Sequence, residues 1–210
     1  MKENFTEIVF ILDRSGSMGT LVNDTIGGFN AFIEKQKAEP GEAVLTTVLF
    51  DHEYKLLHDC VNIHDVNPMS YADYVPRGMT ALYDSIGKTI DDIGERLSST
   101  PEHERPSSVI FVITTDGYEN ASKNFTQKQI KDMIEHQTNK YNWQFLFLGA
   151  NIEVDEVASD LGIELSKAAT FAATSDGMSA TMDSINFAVS SVRSCGFVND
   201  NWSNALNQSL

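Results

Sequence analysis

The 210-residue sequence has few cysteines, few positive charges and no long apolar run. Its two cysteines, Cys60 and Cys195, lie far apart and outside any C-x-x-C motif, which excludes a disulfide-rich scaffold and is typical of a reducing compartment. No apolar stretch approaches the roughly 20 residues that span a bilayer. The short apolar run near the N-terminus is interrupted by Asp13 and Arg14 and lacks a small-residue cleavage site, unlike a signal peptide. We therefore expect a cytoplasmic protein that does not enter a membrane.

Positive charge is scarce, because 15 lysines and arginines face 30 aspartates and glutamates, which gives a formal net charge of −15. Such a surface repels nucleic-acid phosphates and anionic lipids, and it raises the local concentration of cations. We therefore expect no nucleic-acid partner, although an ordinary acidic cytosolic protein would carry a similar charge. With 41% hydrophobic and 21% charged residues, the chain can build one good core.

Apolar runs alternate with amphipathic stretches along the chain. Strands are predicted around residues 6–12, 41–50, 54–63, 107–117, 143–150 and 169–173. Helices are predicted around residues 23–39, 80–97, 126–140, 152–162 and 175–193. Only three residues separate the second and third strands, too few for a crossover helix, so these two should form an antiparallel hairpin. The alternation predicts an α/β fold with a doubly wound, mostly parallel central sheet, one antiparallel edge strand and helices on both faces.

The chain is expected to form one domain over residues 1–195, followed by a polar C-terminal tail, residues 196–210, that should fray. The last predicted helix should be capped by Ser175 or Asp176, since both residue types are preferred N-caps. The five histidines show no zinc-ligand spacing and are expected at the surface.

The first predicted strand leads into the candidate site. Five apolar residues, Ile8–Leu12, are followed directly by Asp13, Ser15 and Ser17, and a polar loop at such a strand end is where open α/β sheets bind ligands. A P-loop would need a lysine after its second glycine, and none is present. A G-x-S-x-G nucleophile elbow around Ser17 would need a glycine at position 15, and a D-x-D phosphatase loop starting at Asp13 would need an aspartate there. Position 15 is a serine, which excludes both motifs. Met18 stands where a calcium loop needs its turn glycine.

The D-x-S-x-S spacing of Asp13, Ser15 and Ser17 resembles the metal-ion-dependent adhesion site of von Willebrand factor A domains. The two remaining parts of that site follow in chain order: Thr80 in the segment RGMTALYDSI and Asp116 in VITTDG. The resemblance covers nearly the whole chain and implies the Rossmann-like fold of this family. In its compactness the chain is most similar to the bacterial cytosolic members.

The chemistry of these residues suits a hard cation, because Mg²⁺ prefers about six oxygen ligands. The resemblance implies that the hydroxyls of Ser15, Ser17 and Thr80 hold the cation, while Asp13 and Asp116 act largely through waters or through the serine hydroxyls. A cation neutralised only at a distance still attracts an anion. The resemblance therefore implies a protein-binding module, not an enzyme, with an Asp or Glu carboxylate of a partner protein as the last ligand. Mg²⁺ is the expected cation, with Mn²⁺ or Ca²⁺ as alternatives.

Four further residues flank the site in sequence and are expected to form a partner-binding rim: Arg14, Met18, Met79 and Glu119, although Met79 suits the core equally well. The resemblance also implies that the last helix can shift when a ligand coordinates. Asp84, which lies one helical turn after Thr80, is expected to be solvated, with orientation of the site from behind the metal ligands as the alternative.

Other interpretations of the motif stay open from the sequence. A metal-assisted hydrolase would need a general base, and Glu119 is the one candidate in the three loops. A scaffold whose metal site is seldom filled is another alternative. Locally, Ser15, Ser17 and Thr80 could be plain helix caps, and Asp116 with the glycine after it could be an ordinary turn.

Overall fold

The computed structural model describes residues 1–206; residues 207–210, the end of the predicted polar tail, lie outside the described residues. One sheet contains the strands β1 (Lys2–Asp13), β2 (Glu42–Phe50), β3 (Tyr54–Asn62), β4 (Pro106–Thr115), β5 (Gln144–Gly149) and β6 (Ala168–Thr170). Their order across the sheet is β3-β2-β1-β4-β5-β6. Strand β3 runs antiparallel to β2, and the other neighbours are parallel. The predicted fold class, with its antiparallel edge strand, is confirmed.

Strands β1 and β4 form the centre of the sheet, because their apolar runs, Ile8–Leu12 and Val109–Ile113, are buried on both faces. The chain leaves β1 toward β2 on one side and later returns to β4 on the other side. The loops that follow β1 and β4 therefore diverge. Such a reversal opens a crevice at the carboxyl edge of the sheet, which is where an α/β fold can hold a ligand.

Helices cover both faces of the sheet: α1 (Val22–Ala38), α2 (Leu82–Ser99), α3 (Gln127–Tyr141), α4 (Val154–Asp160) and α5 (Ser175–Cys195). Helices α1 and α5 pack on one face, and α2, α3 and α4 pack on the other. The sheet separates two apolar layers, and successive side chains of β1 and β4 point alternately into one layer and the other. Within residues 1–206, none of the helices is both long and apolar enough to cross a bilayer.

Helices α1 and α5 approach each other closely at Gly28. A Cβ atom on this glycine would lie 2.6 Å from Cγ of Met182, so a larger residue would force the helices apart. At the start of α5, the hydroxyl of Thr174 accepts a hydrogen bond from the backbone N–H of Gly177 at 3.1 Å. The helix is thus capped by Thr174, and the predicted caps at Ser175 and Asp176 are wrong by one or two residues.

The segment after α5 is packed on the core as far as residue 206, contrary to the expected fraying. Trp202 is only 2% exposed, and its indole N–H donates to the backbone carbonyl of Ser166 at 2.8 Å. Val198 and Leu206 are also buried, so apolar residues spaced four apart face inward from an otherwise polar segment. Sequence composition hides this pattern, because the few apolar residues of the segment are scattered among many polar ones.

His58 is another departure from the expected surface position. Its ring is buried and stacks on Phe29 with centroids 6.2 Å apart. The two ring nitrogens lie within hydrogen-bond distance of the Thr47 hydroxyl (3.1 Å) and the Asn67 carbonyl (3.2 Å). Burial lowers the pKa of His58, since the charged ring would be poorly solvated there.

Replacing Trp202 tests the packing of the C-terminal segment. Trp202→Ala should lower the free energy of unfolding by about 3–5 kcal/mol, because a large buried side chain is removed. Urea denaturation followed by circular dichroism measures this change. Asn201→Ala, at the exposed neighbouring position, should change stability by less than about 0.5 kcal/mol. Equal stability of the two variants would show that the segment frays in solution.

Candidate functional site

Three loops meet at the carboxyl edge of the sheet and bring the predicted site residues together. The Ser17 hydroxyl donates to Oδ1 of Asp116 at 2.5 Å, and its oxygen lies 3.1 Å from the Ser15 hydroxyl. A Cβ atom on Gly117 would lie 3.8 Å from the hydroxyl oxygen of Thr80, so Thr80 borders the loop that carries Asp116. Residues separated by about 100 positions in the chain thus line one crevice.

Asp13 lies at the base of this crevice and is fully buried, with 0% exposure. Its Oδ1 accepts from the backbone N–H of Ser15 at 2.6 Å, and its Oδ2 accepts from the Thr115 hydroxyl at 2.7 Å. Desolvation by burial raises the pKa of Asp13 from 3.8 to about 6, although these hydrogen bonds oppose the shift. The hydrogen bonds therefore orient the carboxylate without neutralising it.

Asp116 adds a second buried carboxylate beside the first. Desolvation raises its pKa as well, and the hydrogen bond from Ser17 counteracts this only in part. Neither Asp13 nor Asp116 forms an ion pair within residues 1–206. Two carboxylates buried together without a basic partner concentrate negative charge where a cation would be stabilised.

The donor atoms at this point fit a small divalent cation with oxygen ligands. They comprise two carboxylates and the hydroxyls of Ser15, Ser17 and Thr80. The Thr80 hydroxyl makes no hydrogen bond to any described residue, so its lone pairs are free for coordination. Among residues 1–206 no cluster of three or more histidine, cysteine, aspartate or glutamate side chains could hold a metal ion. A metal at this edge would therefore depend on hydroxyl ligands, which suit a hard cation such as Mg²⁺.

Two residues that the sequence analysis missed hold the site loops in place. The Tyr74 hydroxyl, buried beneath the site, donates to the backbone carbonyl of Asp13 at 2.5 Å. Asn120 pairs with Thr80 in both directions: its Oδ1 accepts from the Thr80 N–H at 2.9 Å, and its own N–H donates to the Thr80 carbonyl at 3.0 Å. Both residues lie in irregular segments, where no helix or strand periodicity in the sequence marks which polar side chains make structural hydrogen bonds.

Arg14 is buried beneath the site, and its predicted place in the exposed rim is wrong. It is only 5% exposed, and its Nε lies 3.1 Å from Oδ2 of the fully buried Asp51. Arg77 donates from its Nε to the same carboxylate oxygen at 3.1 Å, and its backbone N–H donates to the Arg14 carbonyl at 2.9 Å. The arginine–Asp51 cluster therefore joins the loop after β1, the β2–β3 turn and the segment before Thr80.

The other predicted rim residues have three different environments. Met18 is 2% exposed and belongs to the apolar layer under α1 and α5, so its rim prediction is also wrong. The Glu119 carboxylate accepts hydrogen bonds from the backbone N–H groups of Tyr83, Ala121 and Ser122 and from the Ser122 hydroxyl. Met79 is 55% exposed beside Thr80, as a rim residue requires.

Asp84 anchors a loop and is not simply solvated as expected. Its carboxylate accepts from the backbone N–H groups of Lys123, Asn124 and Phe125 at 2.8–2.9 Å. Partial burial disfavours the charged form, but these hydrogen bonds outweigh it, and the pKa of Asp84 lies below its usual value. Asp84 thereby fixes the segment that follows Asp116 against the start of α2.

Neutralising Asp13 should separate fold stability from cation binding. The folded-state pKa of Asp13 is raised, so its ionisation destabilises the metal-free fold progressively as pH increases from 3.8 to about 6 and fully above that. At pH 7.5 in EDTA, Asp13→Asn should therefore raise the free energy of unfolding by about 1–3 kcal/mol. The Thr115 hydroxyl can turn its hydrogen toward the Gly117 carbonyl, 2.9 Å away, and accept from the new amide.

The same variant should lose the stabilisation that divalent cations give to the wild type, as measured by thermal unfolding with and without Mg²⁺. Asp132→Asn, an exposed change on α3, is the matched control and should alter neither quantity. A metal-free Asp13→Asn protein less stable than the wild type would contradict the inferred excess of buried negative charge.

Comparisons with known proteins identify the fold. No protein-family model and no curated protein sequence matches this chain. Among solved structures, the manganese-loaded TRAP protein of Plasmodium vivax is similar with a TM-score of 0.55 and 13% identity, over 81% of this chain and 69% of that one. A mussel byssus protein, proximal thread matrix protein 1 with a zinc-occupied MIDAS motif, has a TM-score of 0.59 and 14% identity, over 89% of this chain and 46% of that one.

A von Willebrand factor type A structure from Catenulispora acidiphila is similar with a TM-score of 0.58 and 13% identity. The match covers 88% of this chain and 42% of that one, so this chain spans less than half the length of two of these three proteins. Identities this low establish the architecture and not the activity. The chain has the fold of a von Willebrand factor type A domain.

Proposed function

We propose that this chain is a metal-dependent protein-binding module. A divalent cation would be held by Asp13, Ser15, Ser17, Thr80 and Asp116, and it would coordinate an Asp or Glu carboxylate of a partner protein. The observation that carries the proposal is the pair of buried carboxylates that lack a basic partner within the described residues and lie beside three hydroxyls.

Each residue of the site has a separate task in this proposal. The cation, when bound, supplies an electrophilic position that attracts an anionic oxygen. Asp116 orients the Ser17 hydroxyl by accepting its hydrogen, which leaves the serine oxygen free to face a cation. Asp13 holds the Ser15 backbone in place and contributes its charge from the base of the crevice.

The crevice is open on the side from which a partner would approach. Ser17 and Gly16 are exposed, whereas Ser15, Thr80 and Asp116 are buried behind them. Met79 and Tyr118, which is 52% exposed, flank this opening and offer apolar contact area. A chain with a net charge of −15 repels an acidic partner in general. Attraction of a partner carboxylate therefore requires a local positive charge, which the bound cation would supply.

A binding role is better supported than metal-assisted hydrolysis. A hydrolase would need a general base within reach of the substrate water. Glu119, the one candidate that the sequence offered, accepts four hydrogen bonds from its own and neighbouring loops. Those contacts hold its carboxylate in a structural role. We therefore propose that the protein is not an enzyme.

The proposal also includes the identity of the cation and the cell compartment in which the protein works. Mg²⁺ is favoured because hydroxyl and carboxylate oxygens are hard ligands, and Mn²⁺ or Ca²⁺ share that preference. Two proteins of similar fold hold manganese or zinc, which supports a divalent site of this general kind. We propose a cytoplasmic location, as in compact bacterial members of the family, with no nucleic-acid or membrane partner.

Calorimetric titration of the protein with Mg²⁺ and Mn²⁺ tests the proposal directly. Thr80→Ala should weaken binding by about 10–100-fold, and Asp13→Ala should weaken it at least as much, because each removes a ligand or its support. Acetate should bind to the metal-loaded protein, whereas the neutral analogue acetamide should not.

Ser107→Ala removes an exposed hydroxyl at the opposite end of β4 and should leave binding unchanged. If the wild type and all three variants bind metal equally weakly, the site is not a working metal site and the scaffold interpretation gains support. If metal binds but acetate does not, the cation is structural and the partner proposal fails.

A further inference from the structure

A cavity of about 470 Å³ lies at the amino edge of the sheet, far from the candidate metal site. It is bounded by the last turns of α2 and α3, by the beginning of β4 and by Trp143, which directly precedes β5. Since β4 is ten residues long, about 30 Å separates the two edges. The volume falls within the range of pockets that bind small molecules.

The floor of this cavity is apolar and rigid. Leu97, Val109 and Trp143 line it, and each is at least nine-tenths buried. The Trp143 ring stacks on Phe111 with centroids 5.4 Å apart and an interplanar angle of 19°, which fixes its orientation. A flat apolar group could therefore enter without rearranging the floor.

Two polar groups at the cavity lack partners. The Gln137 side-chain oxygen is buried and has no hydrogen bond. The indole N–H of Trp143 likewise makes no hydrogen bond to any residue that the structure describes. A buried acceptor without a partner, such as the Gln137 oxygen, is costly in a folded protein, and a polar ligand in the cavity could satisfy it.

Three basic side chains also line the cavity: Arg105, His136 and Lys140. Arg105 donates from Nε to the Thr100 carbonyl at 2.7 Å and from Nη2 to the Ser98 carbonyl at 3.1 Å, which leaves its Nη1 available. None of the three forms an ion pair with a carboxylate within residues 1–206, although the exposed Glu102 lies at the same cavity. Unpaired bases gathered at one cavity are unexpected in a chain with twice as many acids as bases.

We propose that this cavity binds a small carboxylate with an apolar, flat body. The carboxylate would pair with Arg105 and Lys140, and the body would lie on Trp143 between Leu97 and Val109. Charge complementarity argues for the anion, because the bases at the cavity are unpaired in an otherwise acidic protein. The proposal is independent of the metal site, which lies at the other edge of the sheet.

Naphthalene-1-acetate is a suitable probe, and naphthalene-1-acetamide is its neutral counterpart. The protein has only two tryptophans, so their indole N–H signals in a ¹H–¹⁵N correlation spectrum report on two distinct places. Titration in EDTA should move the Trp143 signal and leave the Trp202 signal unchanged. The amide should bind about tenfold more weakly than the acid, because it lacks the charge that Arg105 and Lys140 would recognise.

Three variants sharpen the test. Gly94→Leu should abolish probe binding, because residue 94 lines the cavity and the nearest atom to its added Cβ is Nε2 of Gln137, 3.9 Å away. This variant should fold, since leucine is a better helix former than glycine. Arg105→Gln should weaken binding by about tenfold and Lys140→Gln by about threefold.

Three results would overturn the proposal. The first is a Trp143 signal that does not move at millimolar probe. The second is equal binding of the acid and the amide, which would leave only an apolar cavity. The third is a folded Gly94→Leu protein that still binds the probe as the wild type does.

Discussion

Two carboxylates buried together at the carboxyl edge of the sheet, without a basic group to neutralise them, are the constraint on which the rest of the site depends. Asp13 and Asp116 are oriented by hydrogen bonds from hydroxyl and amide groups, which supply direction and leave the charge in place. An arginine beside them would neutralise the charge and stabilise the metal-free fold, but it would remove the electrostatic reason for the site to hold a cation. The topology makes this arrangement attainable, because the reversal of strand order between β1 and β4 leaves the two aspartates facing one crevice.

The surrounding loops hold this arrangement while keeping positive charge away from it. Arg14 follows Asp13 directly, yet it points to Asp51 and not to the site carboxylates. Arg77, which is half-exposed, shares the same partner, so both guanidinium groups are paired with Asp51 and not with the site carboxylates. Removing Asp51 would free two cations next to the site and would also loosen three loops. The ion pairs thus keep the two arginines from neutralising the site carboxylates, and they also hold the site loops in place.

Much of the fold and the central site residues could be predicted because they leave local signals. The unbroken run Ile8–Leu12 marks a buried strand, and the spacing of Asp13, Ser15 and Ser17 marks the site. Burial of single loop residues could not be predicted in the same way. Arg14 is next to a site residue in sequence, but its environment is set by Asp51, 37 positions away.

Tyr74 and Asn120 support the site from irregular segments, where no periodicity distinguishes a structural polar group from a solvated one. Asp84 supports it from the first turn of α2, where an acidic residue is ordinary and gives no sign of the loop that it anchors. Trp202 was missed for a related reason, since a lone aromatic residue among polar neighbours gives no pattern.

The close contact between α1 and α5 has a mechanical consequence. Polar side chains connect the two helices near both ends of α1, through the pairs Ser175–Asp24, Lys35–Asp183, Gln36–Asn186 and Arg193–Gln36. A slide of α5 by one turn, about 5.4 Å, would break all these contacts at once. A displacement of α5 would therefore have to move α1 with it or give up these contacts.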